Sequence, residues 1–157
     1  MQSLALLAAH NEWANRQLFA ACAAVSPTQL HDDAHGYGSV IGLLNHLVQV
    51  EHAFFELAHG RRPEWRDRAD LAALQEQCIR IDQAYIAYVD TLQSEQAENQ
   101  RFLVPWFGFE LSLLEGVLQP LTHSHKHRAD VSMLLPLLGG VGIEMDLIQW
   151  LAAQRTG

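Results

Sequence analysis

Hydrophobic and polar positions along this chain recur at helical spacing in four long segments. Over residues 2–25, Leu4, Leu7, Ala8, Leu18, Cys22 and Val25 share one face. Asn11 and Asn15 fall inside that stripe, which is unusual for a face that meets only core. Trp13 and Leu6 lie on roughly the opposite side, where an oligomer contact or a covering segment would meet them. Ser26-Pro27 ends the segment. Residues 31–38, HDDAHGYG, have the composition of a loop. Ser39 is a suitable N-cap for a second helix reaching residue 58. Its stripe is Val40, Leu43, Leu47, Val50, Phe54 and Leu57, and His46 sits at the stripe's edge. Gly60 is a natural stop.

The third segment, 68–93, is the most clearly amphipathic, with Leu71, Leu74, Cys78, Ile81, Tyr85, Tyr88, Val89 and Leu92 on one face. The fourth, 110–138, turns Leu113, Val117, Leu121, Val131, Leu134, Leu135 and Leu138 inward. Pro120 removes an intrahelical donor there and predicts a kink or a loosened turn. A short last helix, 144–154, carries Leu147, Ile148, Trp150 and Leu151. Residues 61–67 connect two helices. Residues 94–109 read as a loop or short hairpin, whose Trp106, Phe107 and Phe109 either roof a pocket, meet a partner or anchor the loop itself. Nothing alternates with period two for long enough to make a convincing sheet. Each stripe must find a partner, so the fold class is all-α: a four-helix bundle with a short C-terminal helix, one domain over residues 1–157.

Composition narrows the picture. Hydrophobic residues make up 49% of the chain, as in a globular protein. A net charge of -8 repels phosphate backbones and argues against nucleic acid as a partner. No segment approaches the roughly 20 apolar residues that span a bilayer, and the first residues do not read as a signal peptide. Cys22 and Cys78 are too few for a disulfide framework, so a reduced, cytoplasmic protein is expected. Both thiols fall on core stripes and read as inert. Nine histidines are more than a chain of this size usually carries.

Three of them stand at alternate positions in 121-LTHSHKHRAD-130. Residues i and i+4 of a helix lie about 40° apart, whereas i and i+2 are nearly opposed. His123 and His127 therefore share a target on the inward side, and His125 does not. Two imidazoles one turn apart are a common way to hold a transition metal. A third ligand must come from another helix, and His46 is the best placed. His52 points to a different face, His59 is near a helix end, and His10, His31 and His35 read as solvent-facing. The bland alternative is a pair of core-edge histidines satisfied by carbonyls or water. Asp130 either orients a ligand ring, as carboxylates beside metal sites do, or is simply solvated. Glu51 reads as a catalytic or ligand-orienting carboxylate, or as the partner of Arg128 at a bundle edge. Tyr85 and Tyr88 read as core residues with wet hydroxyls.

The chain also resembles the DinB-like (DinB/YfiT) family of small bacterial four-helix proteins. Four stretches carry the resemblance: 11-NEWANRQL-18, 38-GSVIGLLNHLVQVE-51, 121-LTHSHKHRADV-131 and 146-DLIQWL-151. The resemblance implies a bundle with a three-histidine metal site, here His46, His123 and His127. Lys126 and Ala129 depart from the family pattern, in which a histidine and a glycine are common at those positions; neither change removes a ligand. The resemblance further implies a homodimer and a thiol-dependent transferase or isomerase acting on a small-molecule substrate with a low-molecular-weight thiol such as mycothiol, bacillithiol or glutathione. Zinc or nickel suits imidazole ligands. A metal-dependent hydrolase is the runner-up. A metal-binding stress-response protein without turnover is a reading of another class, and a scaffold that binds a partner through Trp13 and residues 102–109 is a third.

Overall fold

The computed structural model describes residues 2–33, 36, 38–95 and 97–156; His35 lies outside them. The elements are α1 (Gln2–Cys22), α2 (Pro27–Leu30), α3 (Val40–Ala58), α4 (Leu71–Glu95), β1 (Arg101–Val104), β2 (Phe109–Ser112), α5 (Leu113–Leu134) and α6 (Leu147–Thr156). A 3-10 turn, Leu135–Leu138, follows α5. The long helices α1, α3, α4 and α5 form the bundle. In cyclic order α1 packs on α4, α4 on α3, α3 on α5 and α5 on α1. Helices α1 and α3, consecutive among the long ones, are thus diagonal, and α3 and α5 share the most extensive contact. No helix among the described residues is long and apolar enough to cross a membrane.

Local chemistry sets the helix ends. Ser39 Oγ accepts from the Gly42 N–H at 3.1 Å and starts α3. Gly60, at φ 68, follows its end. Ser112 and Glu115 form a reciprocal capping box that starts α5. Residues 110–112 therefore close a strand instead of opening the helix predicted from 110, and β2 pairs antiparallel with β1 from Arg101↔Ser112 to Val104↔Phe109. Helix α5 continues through Pro120 without interruption. Pro27–Leu30 forms a single helical turn, capped by Ser26, where no helix was expected.

Most of each predicted stripe lies in the core, although Leu7, Leu71 and Tyr88 are only partly buried and Phe19, Phe102 and Val104 join from outside the stripes; the stripe of α3 is rotated. On α3 the fully buried line is Val40, Leu44, Leu47 and Val48 with Glu51, whereas Leu43 and Val50 are only partly covered. Glu51 thus sits in the bundle interior. Among the expectations for single histidines, His31 is exposed as predicted. His10 is not: it is buried, and its Nε2 lies 2.8 Å from the Met145 carbonyl oxygen. Trp150 of α6 stands edge-on to its ring. The segment leading into α6 folds back over α1 and covers that face, which the periodicity of α1 alone left open. Trp13 is partly buried there too, against the His10 ring.

Candidate metal centre

Helices α3 and α5 bring three imidazoles together at one point of their contact. Ring centroids of His46 and His123 are 4.9 Å apart, those of His46 and His127 4.9 Å, and those of His123 and His127 4.4 Å. One ligand atom from each lies within 4.8 Å of the other two. His46 Nε2 and His123 Nε2 approach to 3.1 Å. With Zn–N bonds of the usual length, two nitrogens on one tetrahedral zinc stand roughly 3.3 Å apart. The donor set therefore fits a small divalent ion. His125 is exposed and takes no part.

Electrostatics keeps His123 and His127 available as ligands, since a metal needs neutral imidazole. Burial holds His123 down to about 4, and the neighbouring His127, His46 and Lys126 charges push the same way. Burial also lowers His127, with His46 adding to the effect and Asp130 opposing it. Asp130 Oδ2 stands 3.0 Å from His127 Nδ1, an ion-pair distance without the alignment of a good hydrogen bond. With Nδ1 turned to Asp130, the nitrogen that His127 leaves for the cluster is Nε2.

A cavity of about 520 Å³ opens beside the imidazoles. His46 and His123 form part of its wall. Trp65, Trp106 and Phe107 supply aromatic surface, and Gln49, Gln119 and His52 supply hydrogen-bonding groups. The hairpin tip thus meets the expectation that its aromatic residues roof a pocket. Trp106 also packs edge-on against Phe54 of α3. Phe109 is exposed and stacks on Phe107. The periodicity argument singles out none of Trp65, Gln49 and Gln119; the one signal that could have found any of them is a lone tryptophan in the polar connector 61–67.

Behind the imidazoles lies a buried polar cluster. Asn11 Nδ2 donates to Glu51 Oε1 at 2.8 Å and to Asp82 Oδ1 at 3.0 Å. Asn15 Nδ2 reaches both carboxylates as well, at 3.3 and 3.1 Å. Ser124 Oγ donates to Glu51 Oε1 at 2.6 Å. Arg128 Nη1 donates to the Asn11 and Asn15 side-chain oxygens at 2.6 and 2.8 Å. Arg128 and Glu51 are therefore joined through two asparagines in the core, not paired directly at an edge as anticipated. Burial pushes both carboxyls above the usual range, and the Glu51 charge adds to the effect at Asp82. The Tyr85 hydroxyl donates to the Glu51 carbonyl at 2.9 Å, so it is not wet. Cys78 and Cys22 are buried, and burial raises both thiols, Cys22 to about 12. Neither is activated as a nucleophile.

Fold and site together define a helical bundle with three converging imidazoles at the seam of two helices and an aromatic cavity beside them. The chain belongs to the DinB family, whose model matches residues 1–156. Two solved structures share its fold. A DinB-like protein from Bacillus cereus ATCC 10987 is 12% identical with a TM-score of 0.68, covering 87% of this chain and 91% of that one. YfiT from Bacillus subtilis, described as a probable metal-dependent hydrolase with an unusual four-helix bundle topology, is 18% identical with a TM-score of 0.68, covering 85% and 86%. No curated protein matches the sequence.

Proposed function

We propose that this chain is a metal-dependent enzyme in which His46, His123 and His127 hold zinc or nickel and a low-molecular-weight thiol attacks a small electrophilic substrate. The observation that carries the reading is the meeting of three imidazole nitrogens within 4.8 Å, two of the rings, His46 and His123, standing on the wall of a cavity large enough for a small molecule. A bound divalent ion would supply Lewis acidity that draws the pKa of a coordinated thiol or water toward neutrality.

The chain's own residues fit the rest of the task. Asp130 stands 3.0 Å from the far nitrogen of His127, close enough to orient the ring toward the cluster. Trp65, Trp106 and Phe107 keep water from one side of the cavity and offer flat apolar surface to a substrate. Gln49, Gln119 and His52 orient its polar groups. Among the described residues the cavity wall includes no carboxylate and no cysteine. A thiol whose proton is already labile needs no protein base, whereas attack by water ordinarily recruits one. This contrast supports thiol transfer over hydrolysis. Hydrolysis is kept as the second reading because YfiT, which has a similar fold, is described as a probable metal-dependent hydrolase.

Thermal shift with glutathione, bacillithiol and mycothiol tests the choice. At least one thiol is expected to stabilise the metal-loaded protein and leave the metal-free protein unchanged. Stabilisation by none of them, together with metal-dependent cleavage of an ester or amide, would replace transfer with hydrolysis.

A further inference from the structure

The chain has ten Lys and Arg residues against eighteen Asp and Glu, and four of the ten, Arg61, Arg62, Arg66 and Arg68, fall in the connector 61-RRPEWRDR-68 between α3 and α4. Arg61 is committed to Glu56 through two bonds of 2.6 and 2.8 Å. The side chains of Arg62, Arg66 and Arg68 have no carboxylate partner among the described residues, and all three residues are exposed. Of the acids beside them, Asp67 accepts the Trp65 indole N–H at 2.9 Å.

These three arginines line one groove of about 610 Å³. Among the described residues Glu64 is the single carboxylate on its wall. The groove shares His52, Pro63 and Trp65 with the cavity beside the imidazoles, so the two spaces adjoin. Their chemistry differs. The imidazole cavity has no Lys, Arg, Asp or Glu on its wall, whereas the groove presents three guanidiniums.

Helix α3 holds the connector in place. Asn45 Nδ2 donates to the Arg68 carbonyl at 2.7 Å, and the Arg68 N–H donates to Asn45 Oδ1 at 2.7 Å. About two turns further on, His52 Nε2 lies 3.1 Å from the Glu64 carbonyl oxygen. Asn45 is next to His46 in sequence. One stretch of α3 therefore fixes both the candidate metal ligand and the arginine-bearing backbone, which lowers the ordering cost of a ligand that reaches both.

We propose that the groove lined by Arg62, Arg66 and Arg68 binds the carboxylate end of a small molecule whose reactive end occupies the imidazole cavity. Guanidinium recognises carboxylate through parallel N–H bonds. A cationic patch on an otherwise acidic surface also concentrates small anions at the cavity mouth. The position of the reactive end rests on the proposed function above; the anionic subsite does not.

Calorimetric titration tests the subsite with S-methylglutathione, which keeps its carboxylates but lacks a free thiol. Its diethyl ester and inorganic phosphate are the comparison probes, and each is titrated into metal-free and metal-loaded protein. S-methylglutathione is expected to bind both forms, with affinity falling about tenfold or more for the ester and for the Arg62→Ala/Arg66→Ala variant. Arg80→Ala, on α4 and outside the groove, is expected to bind as the wild type does. Equal affinity for acid and ester, an unaffected double variant, or no binding by the wild type would overturn the proposal. Phosphate binding as tightly as the peptide at the same arginines would replace the carboxylate assignment. Arginine-dependent binding by a protein that takes up no metal would support the subsite and remove only the metal-centred reading.

Discussion

Asp130 stands three residues after His127 and 3.0 Å from its Nδ1. A carboxylate in that position raises the basicity of the opposite nitrogen and holds the ring in place. Asp130→Ala is expected to weaken metal binding by about 10–100-fold in a chelator competition, with little change in fold. Unchanged affinity would mean that the contact is incidental. At this scale much of the candidate site is legible in the sequence. The i, i+4 spacing of His123 and His127 and the edge position of His46 single out the three rings that the fold brings together, and the same argument sets His125 aside. His10 is the counter-case. Its face of α1 is covered by Met145 and Trp150, more than a hundred residues later, and periodicity within one helix carries no information about such a cover.

Helix α5 faces two ways. His123 and His127 meet His46, and the residue after each, Ser124 and Arg128, enters the buried cluster with Asn11, Asn15, Glu51 and Asp82. The cluster ties α5 to α1 and α3, and through Asp82 to α4, so it fixes the register at which His46 meets the other two rings. Arg128 is the one cation set against two buried carboxyls there. Arg128→Met should cost about 3–5 kcal/mol in urea unfolding, because it leaves that pair without its countercharge. Adding Glu51→Gln and Asp82→Asn should restore part of the loss; no restoration would show that Arg128 acts through packing alone. The sequence hints at this cluster, since Asn11 and Asn15 interrupt an apolar stripe. It does not show Glu51 at the centre, because the buried face of α3 is rotated from the stripe that its leucines and valines suggest. The hairpin was legible only as a polar and aromatic stretch, because four residues per strand give period two too little length to register.

For the whole molecule, the imidazoles couple stability to pH. His123 is held near 4 in the folded protein, against about 6.5 for an unperturbed histidine. Between these values the unfolded chain binds the proton and the folded chain does not, so the metal-free protein loses stability as pH falls through that window. The raised carboxyls of Glu51 and Asp82 act in the opposite sense, since the folded protein holds their protons longer as pH rises. Comparing metal-free wild type with His123→Gln isolates the imidazole. The wild type should lose stability relative to the variant as pH drops from about 6.5 toward 4. A constant difference would mean that the ring titrates normally. The central claim is that His46, His123 and His127 converge to hold one divalent ion, and elemental analysis of tag-free protein after metal loading and desalting tests it most directly. Wild type and His125→Ala should each retain about one zinc or nickel per chain, and His46→Ala, His123→Ala and His127→Ala should each lose it. Full retention by any one of these three variants, or none by the wild type, would contradict the account.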